Sequence, residues 1–195
     1  RVLTMTQKDI AEDIRQAVQV LRQGGLILYP TDTIWGIGCD ATNEDAVRRV
    51  FRLKNRDDSK ALICLVDSAN RMQMYSRGIP DVAWDLVEYS EKPLTLILDG
   101  AVNLAPSLVA ADGSVGIRVT SENISKELCF RFQKAIVSTS ANISGRPSPA
   151  RFMDIEPEVI NGVDYVMRSR QNDTKPSSPS RIVRLRADGE ISFIR

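Results

Sequence analysis

Apolar residues first recur at helical spacing, with Ile10, Ile14, Ala17, Val18 and Leu21 on one face. Thr6 followed three residues later by Asp9 predicts a capping-box start, and Gly24-Gly25 predicts the stop. The short bulky run Leu26-Ile27-Leu28-Tyr29 then reads as a buried strand ended by Pro30, with Thr31, Asp32 and Thr33 just beyond it. Trp35-Gly36-Ile37-Gly38 reads as a loop whose glycines permit close backbone approach. Thr42, Asn43 and Asp45 are N-cap candidates for a helix that buries Ala46, Val47, Val50 and Phe51. That helix exposes Arg48, Arg49 and Arg52 and ends in Lys54-Asn55-Arg56.

The alternation of signals continues. A polar turn at 57–60 precedes a buried strand over 61–66, and two short helices are expected at 68–76 and 80–89, with Met72, Met74, Trp84 and Leu86 in the core. Strands follow at 94–98 and 115–119, separated by a loop from Asp99. A helix over 121–133, a strand at 135–137 and a short helix near 150–160 come next, then a strand at 165–167. Residues 170–180 are rich in Ser and Pro and read as a loop. Ile182–Leu185 and Ile191–Ile194, joined through Ala187-Asp188-Gly189, read as a hairpin. No repeat and no linker interrupts the pattern, which predicts a single mixed α/β domain over 1–195.

Composition narrows the function classes. The 195 residues carry 26 basic and 25 acidic side chains, a net charge of +1, so any anion binding has to be local. No apolar run approaches the ~20 residues of a membrane span, and no signal-peptide pattern opens the chain, so a cytoplasmic protein is expected. Three scattered cysteines, Cys39, Cys64 and Cys129, fit reduced thiols better than a disulfide framework. There is no histidine. Ser-His-Asp triads, Cys-His pairs and His-ligated metals are thereby excluded, and an enzyme of this composition works by positioning and charge stabilisation.

Three features could carry chemistry. Lys54 and Arg56 at a helix end can converge on a phosphate chain, or they form a solvated helix terminus. Ser138-Thr139-Ser140-Ala141-Asn142-Ile143-Ser144-Gly145 puts four hydroxyls and an amide at a strand end, suiting phosphate oxygens or a capping turn. Arg118, inside an apolar strand, would need a partner if buried, either a ligand carboxylate or a structural salt bridge, or else it is exposed at the strand end.

Four blocks in this order carry a resemblance across essentially the whole chain. They are Tyr29-Pro30-Thr31-Asp32-Thr33-Ile34-Trp35-Gly36, the pair Lys54 and Arg56, Gly116-Ile117-Arg118-Val119, and Ser138 to Gly145. Together they resemble the YrdC-like threonylcarbamoyl-AMP synthases, in their short single-domain form. The resemblance implies a YrdC/RibB-like α/β (α+β) fold, a twisted mixed β-sheet flanked by helices with a basic concave face. It implies a nucleotidyltransferase that makes threonylcarbamoyl-AMP and pyrophosphate from L-threonine, bicarbonate and ATP with Mg2+, without a protein-bound metal. The product serves threonylcarbamoyladenosine formation at position 37 of tRNA through a downstream threonylcarbamoyl-transferase complex. Lys54 and Arg56 would be the catalytic clamp; Lys54, Arg56, Ser138, Ser140, Asn142 and Ser180 would bind ATP; Thr33 and Arg118 would bind threonine. Lys54 or Arg56 is expected to be removable with the fold intact. tRNA or double-stranded RNA would bind through local cations such as Arg48, Arg49 and Arg52. The alternative is a non-catalytic RNA-binding paralogue. A third reading is a carbamoyl-transfer partner domain like that of hydrogenase-maturation proteins. Two positions depart from the pattern: Leu65 stands where many members have histidine, and Ser90-Glu91-Lys92 precedes Pro93 in place of Trp-Pro-Gly.

Overall fold

In the computed structural model, which describes residues 4–55, 62–175 and 177–195, the capping box forms as expected. The Asp9 amide donates to Thr6 Oγ1 and the Thr6 amide donates to Asp9 Oδ2, which starts α1 (Gln7–Arg22). In chain order there follow β1 (Ile27–Tyr29), β2 (Gly36–Gly38), α2 (Glu44–Lys54), β3 (Ile63–Val66), β4 (Ser76–Gly78), α3 (Val82–Tyr89), β5 (Leu94–Ala101) and β6 (Val115–Val119). Next come α4 (Asn123–Phe132), β7 (Ile136–Ser140), α5 (Pro157–Gly162), β8 (Tyr165–Val166), β9 (Arg181–Leu185) and β10 (Ile191–Phe193). The strands form one mixed sheet in the order β10-β9-β5-β6-β3-β7-β2-β1-β8, with β4 paired to the far end of β5. Pairs β3/β6, β5/β9 and β1/β8 are parallel; the other pairs are antiparallel. This is the mixed α/β fold expected from the sequence. Among the described residues no helix is long and apolar enough to cross a membrane.

Several elements differ from the expectations. The Trp35–Gly38 loop contains β2, which pairs with both β1 and β7. Gly38 permits this: a Cβ there would lie 2.5 Å from Tyr29 Cε1 and 2.9 Å from the Val137 carbonyl oxygen. The helix expected at 68–76 is a 3-10 turn, Asn70–Met74, followed by β4, and Met74 is 43% exposed instead of buried. β5 runs to Ala101 and β7 to Ser140, both beyond their expected ends. The helix near 150–160 is a 3-10 turn, Phe152–Asp154, and then α5. The polar turn expected at 57–60 lies outside the described residues. All three cysteines are free and buried, and burial pushes the Cys64 thiol up to about 12. They are inert packing groups.

The connection from β8 to β9 joins strands seven places apart in the sheet order, and its described residues lie beside Thr31, Glu122 and Pro93, just beyond the ends of β1, β6 and β5. Its described part is irregular and begins with a turn over 169–172, consistent with its Ser- and Pro-rich sequence. Its start is pinned by Asp13, a carboxylate of α1 that is 0% exposed. Asp13 accepts from the Tyr165 hydroxyl at 2.5 Å, from the Arg168 and Ser169 amides at 3.0 and 2.8 Å, and from the Ser169 hydroxyl at 2.6 Å. Asp13→Ala would leave these buried donors unpaired, lowering stability by about 3 kcal/mol. A clear drop in the urea midpoint of the variant is expected; an unchanged midpoint would mean that water replaces the carboxylate.

Candidate functional site

Strand register sets the floor of the site. Ser138, Ile63, Gly116, Ile97 and Arg184 lie side by side across β7, β3, β6, β5 and β9. Ile136, Leu65, Arg118, Thr95 and Ile182 form the neighbouring row, and residues two apart on a strand share a face. A Cβ at Gly116 would sit 2.9 Å from Ile63 Cγ2, so this glycine keeps the first row low. Above that face lies a cavity of about 460 Å³, a size suited to a small ligand. Thr33, Trp35 and Gly36 wall one side, Ser138, Thr139 and Ser140 another, and Thr95, Arg118, Ser180 and Arg195 the remainder.

Lys54, the last residue of α2, is 2% exposed. Its Nζ donates to the carbonyls of Ser140 (2.6 Å) and Asn142 (3.0 Å), to Asn142 Oδ1 (3.0 Å), and lies 3.3 Å from Ser140 Oγ. Ser140 Oγ donates to Asn142 Oδ1, while Asn142 Nδ2 donates to the Arg146 carbonyl at 2.7 Å. The Ser144 amide closes the knot on the Lys54 carbonyl at 2.8 Å. The structure thus brings Lys54, Ser140 and Asn142 together. Only Ser140 of the three lines the cavity; Lys54 and Asn142 lie behind it. Arg56 lies outside the described residues.

Arg118 is also buried, yet arranged differently. Its Nε donates to Asp32 Oδ1 at 2.9 Å and its Nη2 to Thr33 Oγ1 at 3.2 Å. The structural salt bridge weighed from the sequence is therefore present, and its partner is Asp32. Burial pushes the Asp32 carboxyl up, and Arg118 opposes that shift without cancelling it. The Thr31 hydroxyl donates to the Ile34 carbonyl at 2.8 Å, so in its 3.2 Å contact with Thr33 the Thr33 hydroxyl is the donor. Thr33 consequently gives its proton to Thr31 and accepts from Arg118. Among the described residues Arg118 Nη1 makes no hydrogen bond, although the side chain is 5% exposed and lines the cavity. A buried cationic N–H facing a cavity suits an anionic ligand group.

Ser180 reaches the site from β9's leading edge. Its hydroxyl is 2.8 Å from Thr95 Oγ1, and Arg195 Nε donates to its carbonyl at 3.0 Å. Thr33, Arg118, Ser138, Ser140 and Ser180 thus share one cavity. Thr95, Ser148 and Arg195 line the cavity without having stood out in the sequence, and Asp32 proves to be the partner of Arg118. A threonine inside the apolar strand Leu94–Leu98, and the need of Arg118 for an acid, were the available signals. The arginines expected as an open RNA-binding face are partly engaged: Arg48 pairs with Glu44 at 2.8 Å and Arg49 with Asp164 at 2.9 Å, while Arg52 is exposed.

With that geometry in hand, similarity to known proteins is informative. Residues 19–195 match the Sua5/YciO/YrdC family, described as telomere recombination. A Methanocaldococcus jannaschii protein, named provisionally as a threonylcarbamoyl-AMP synthase, is 34% identical over 187 residues, 93% of this chain and 86% of its own. The threonylcarbamoyl-AMP synthase of Pseudomonas aeruginosa is 34% identical over 152 residues, 77% of this chain and 82% of its own. The crystal structure of P. abyssi Sua5 complexed with L-threonine superposes with a TM-score of 0.78 at 27% identity, covering 88% of this chain. This chain spans 50% of that one.

The knot around Lys54 changes what its removal does. Lys54→Met deletes an ammonium that four oxygens surround, so the fold pays a penalty of about 3 kcal/mol, contrary to a purely functional clamp. Thermal unfolding of the variant is expected to shift well below the parent. A variant as stable as the parent would show that the loop holds its shape without the charge.

Proposed function

Because the chain belongs to the Sua5/YciO/YrdC family, we propose that it is a threonylcarbamoyl-AMP synthase, a nucleotidyltransferase-type enzyme acting on L-threonine and ATP. The observation that carries the reading is the open Nη1 of buried Arg118, which lines a cavity together with the hydroxyls of Thr33, Thr95, Ser138, Ser140 and Ser180. A threonine carboxylate satisfies that N–H, and Thr33 keeps one acceptor position for the amino acid. Ser138, Ser140 and Ser180 line the same space and would hold the nucleotide by neutral hydrogen bonds; a role for Arg56 on its phosphates rests on the family resemblance alone. Lys54 and Asn142 act from behind the wall: they fix Ser140, and the lysine charge favours the polyphosphate above it.

The chemistry then needs no histidine. The threonine amine condenses with bicarbonate, losing water and forming a carbamate. A carbamate oxygen attacks the α-phosphorus, the bond to the β-phosphate breaks, and pyrophosphate leaves. Positioning and charge stabilisation supply the catalysis. Magnesium would enter with ATP and help to neutralise its phosphates. The product passes in the cytoplasm to a transferase that modifies tRNA. The RNA-only alternative gains little from Arg48 and Arg49, whose charges are already paired.

Pyrophosphate release from ATP should require threonine and bicarbonate together. Arg118→Lys keeps a charge but loses the planar fork, and should weaken threonine binding about 10–100-fold while leaving ATP binding within about twofold. Calorimetric titration reads both. Unchanged threonine affinity in a folded variant would place the amino acid elsewhere.

A further inference from the structure

Arg170 stands where the chain leaves β8 to cross the sheet, with φ 62°, a left-handed conformation uncommon for an arginine. Such a conformation persists where its surroundings over-determine it. Just upstream, buried Asp13 holds the Arg168 and Ser169 amides. Downstream, Asp173 Oδ2 accepts from Arg170 Nη2 at 3.0 Å and from its Nε at 3.3 Å. Arg170 Nη1 then donates to the Thr31 carbonyl at 3.0 Å and lies 3.1 Å from Glu122 Oε2.

Those last two acceptors belong to the two segments that meet at Arg118. Thr31 opens the turn carrying Asp32 and Thr33. Glu122 follows β6, the strand of Arg118, and caps α4, accepting from the Ile124 and Ser125 amides at 2.9 and 2.8 Å. The turn and the β6–α4 junction are therefore bridged twice. The inner bridge is Asp32 and Thr33 on Arg118. The outer bridge is Arg170, which does not line the cavity but lines a groove next to it with Thr31, Asp32, Glu122 and Asp173.

We propose that Arg170 is a positioning residue for the amino-acid side of the cavity. The inference rests on the threonine reading above. A carboxylate bound at Arg118 Nη1 shares the guanidinium with Asp32 and Thr33, so the geometry of the threonine site depends on where the turn carrying those two residues is held. The outer bridge does not involve the ligand. It keeps the turn in place, so that the Thr33 hydroxyl stays at a fixed separation from Arg118 Nη1.

The test is steady-state pyrophosphate release by the parent, Arg170→Ala and Arg170→Gly, varying threonine and then ATP, with unfolding midpoints of all three. Glycine tolerates the left-handed backbone, so it removes the side chain without strain. Both variants are expected to raise the threonine KM about tenfold and leave the ATP KM within about twofold, with the glycine variant at least as stable as the alanine one. A parental threonine KM in Arg170→Gly, or equal shifts for threonine and ATP, would overturn the proposal. A parent protein whose pyrophosphate release ignores threonine would instead overturn the synthase reading, and the positioning role with it.

Discussion

A lysine ammonium taken out of water at the end of α2 is the constraint to which the rest of the site conforms. Removing that charge from solvent is costly unless several oxygens replace its hydration. Two carbonyls, an amide oxygen and a hydroxyl stand among the groups around Lys54 Nζ. Two backbone carbonyls can converge on one point only if the chain turns sharply after β7. The Asn142 amide bonding back to the Ser140 carbonyl makes that turn, and the Ser144 amide ties it to the helix end. The helix dipole adds to the preference for a cation there. The result is a rigid strand end with Ser138, Thr139 and Ser140 on the cavity wall.

The second buried cation is engaged only in part. Arg118 has a carboxylate partner, Asp32, but the pair consumes only part of the guanidinium. Burial raises the Asp32 carboxyl despite its arginine, which marks the site as poorly hydrated. Hydrogen bonds to a charged donor in such surroundings are strong. One cation is thus closed off and shapes the loop, while the other keeps a donor for the ligand. The crossing segment joins both sides, since it begins on Asp13 and ends with Ser180 against Thr95.

Much of this was legible in the chain itself. The helices α1, α2 and α4 and the strands β3 and β6 have strong periodicity or dense apolar runs, and they form where expected within a few residues. β2 was hidden because Gly-Ile-Gly has little strand propensity and pairs only through tertiary context. β4, Ser-Arg-Gly, is a short polar strand with the same problem. The extension of β7 was missed because Ser and Thr at a strand end look like a loop. Burial of Lys54 was not legible at all, since a basic residue at a helix terminus ordinarily stays solvated. The need of Arg118 for a partner could be read from its apolar strand, but not that the partner lies 86 residues earlier. Arg195 enters the site only because β10 folds back beside β9, a pairing that brings the hairpin to the cavity.

In the proposed reaction one cavity joins a threonine-derived carbamate to the α-phosphate of ATP. Mass spectrometry of the protein incubated with ATP, threonine and 13C-bicarbonate tests it most directly. A threonylcarbamoyl-AMP adduct carrying the heavy carbon is the predicted result. Pyrophosphate formed with no labelled adduct, or an adduct that forms without bicarbonate carbon, would contradict it.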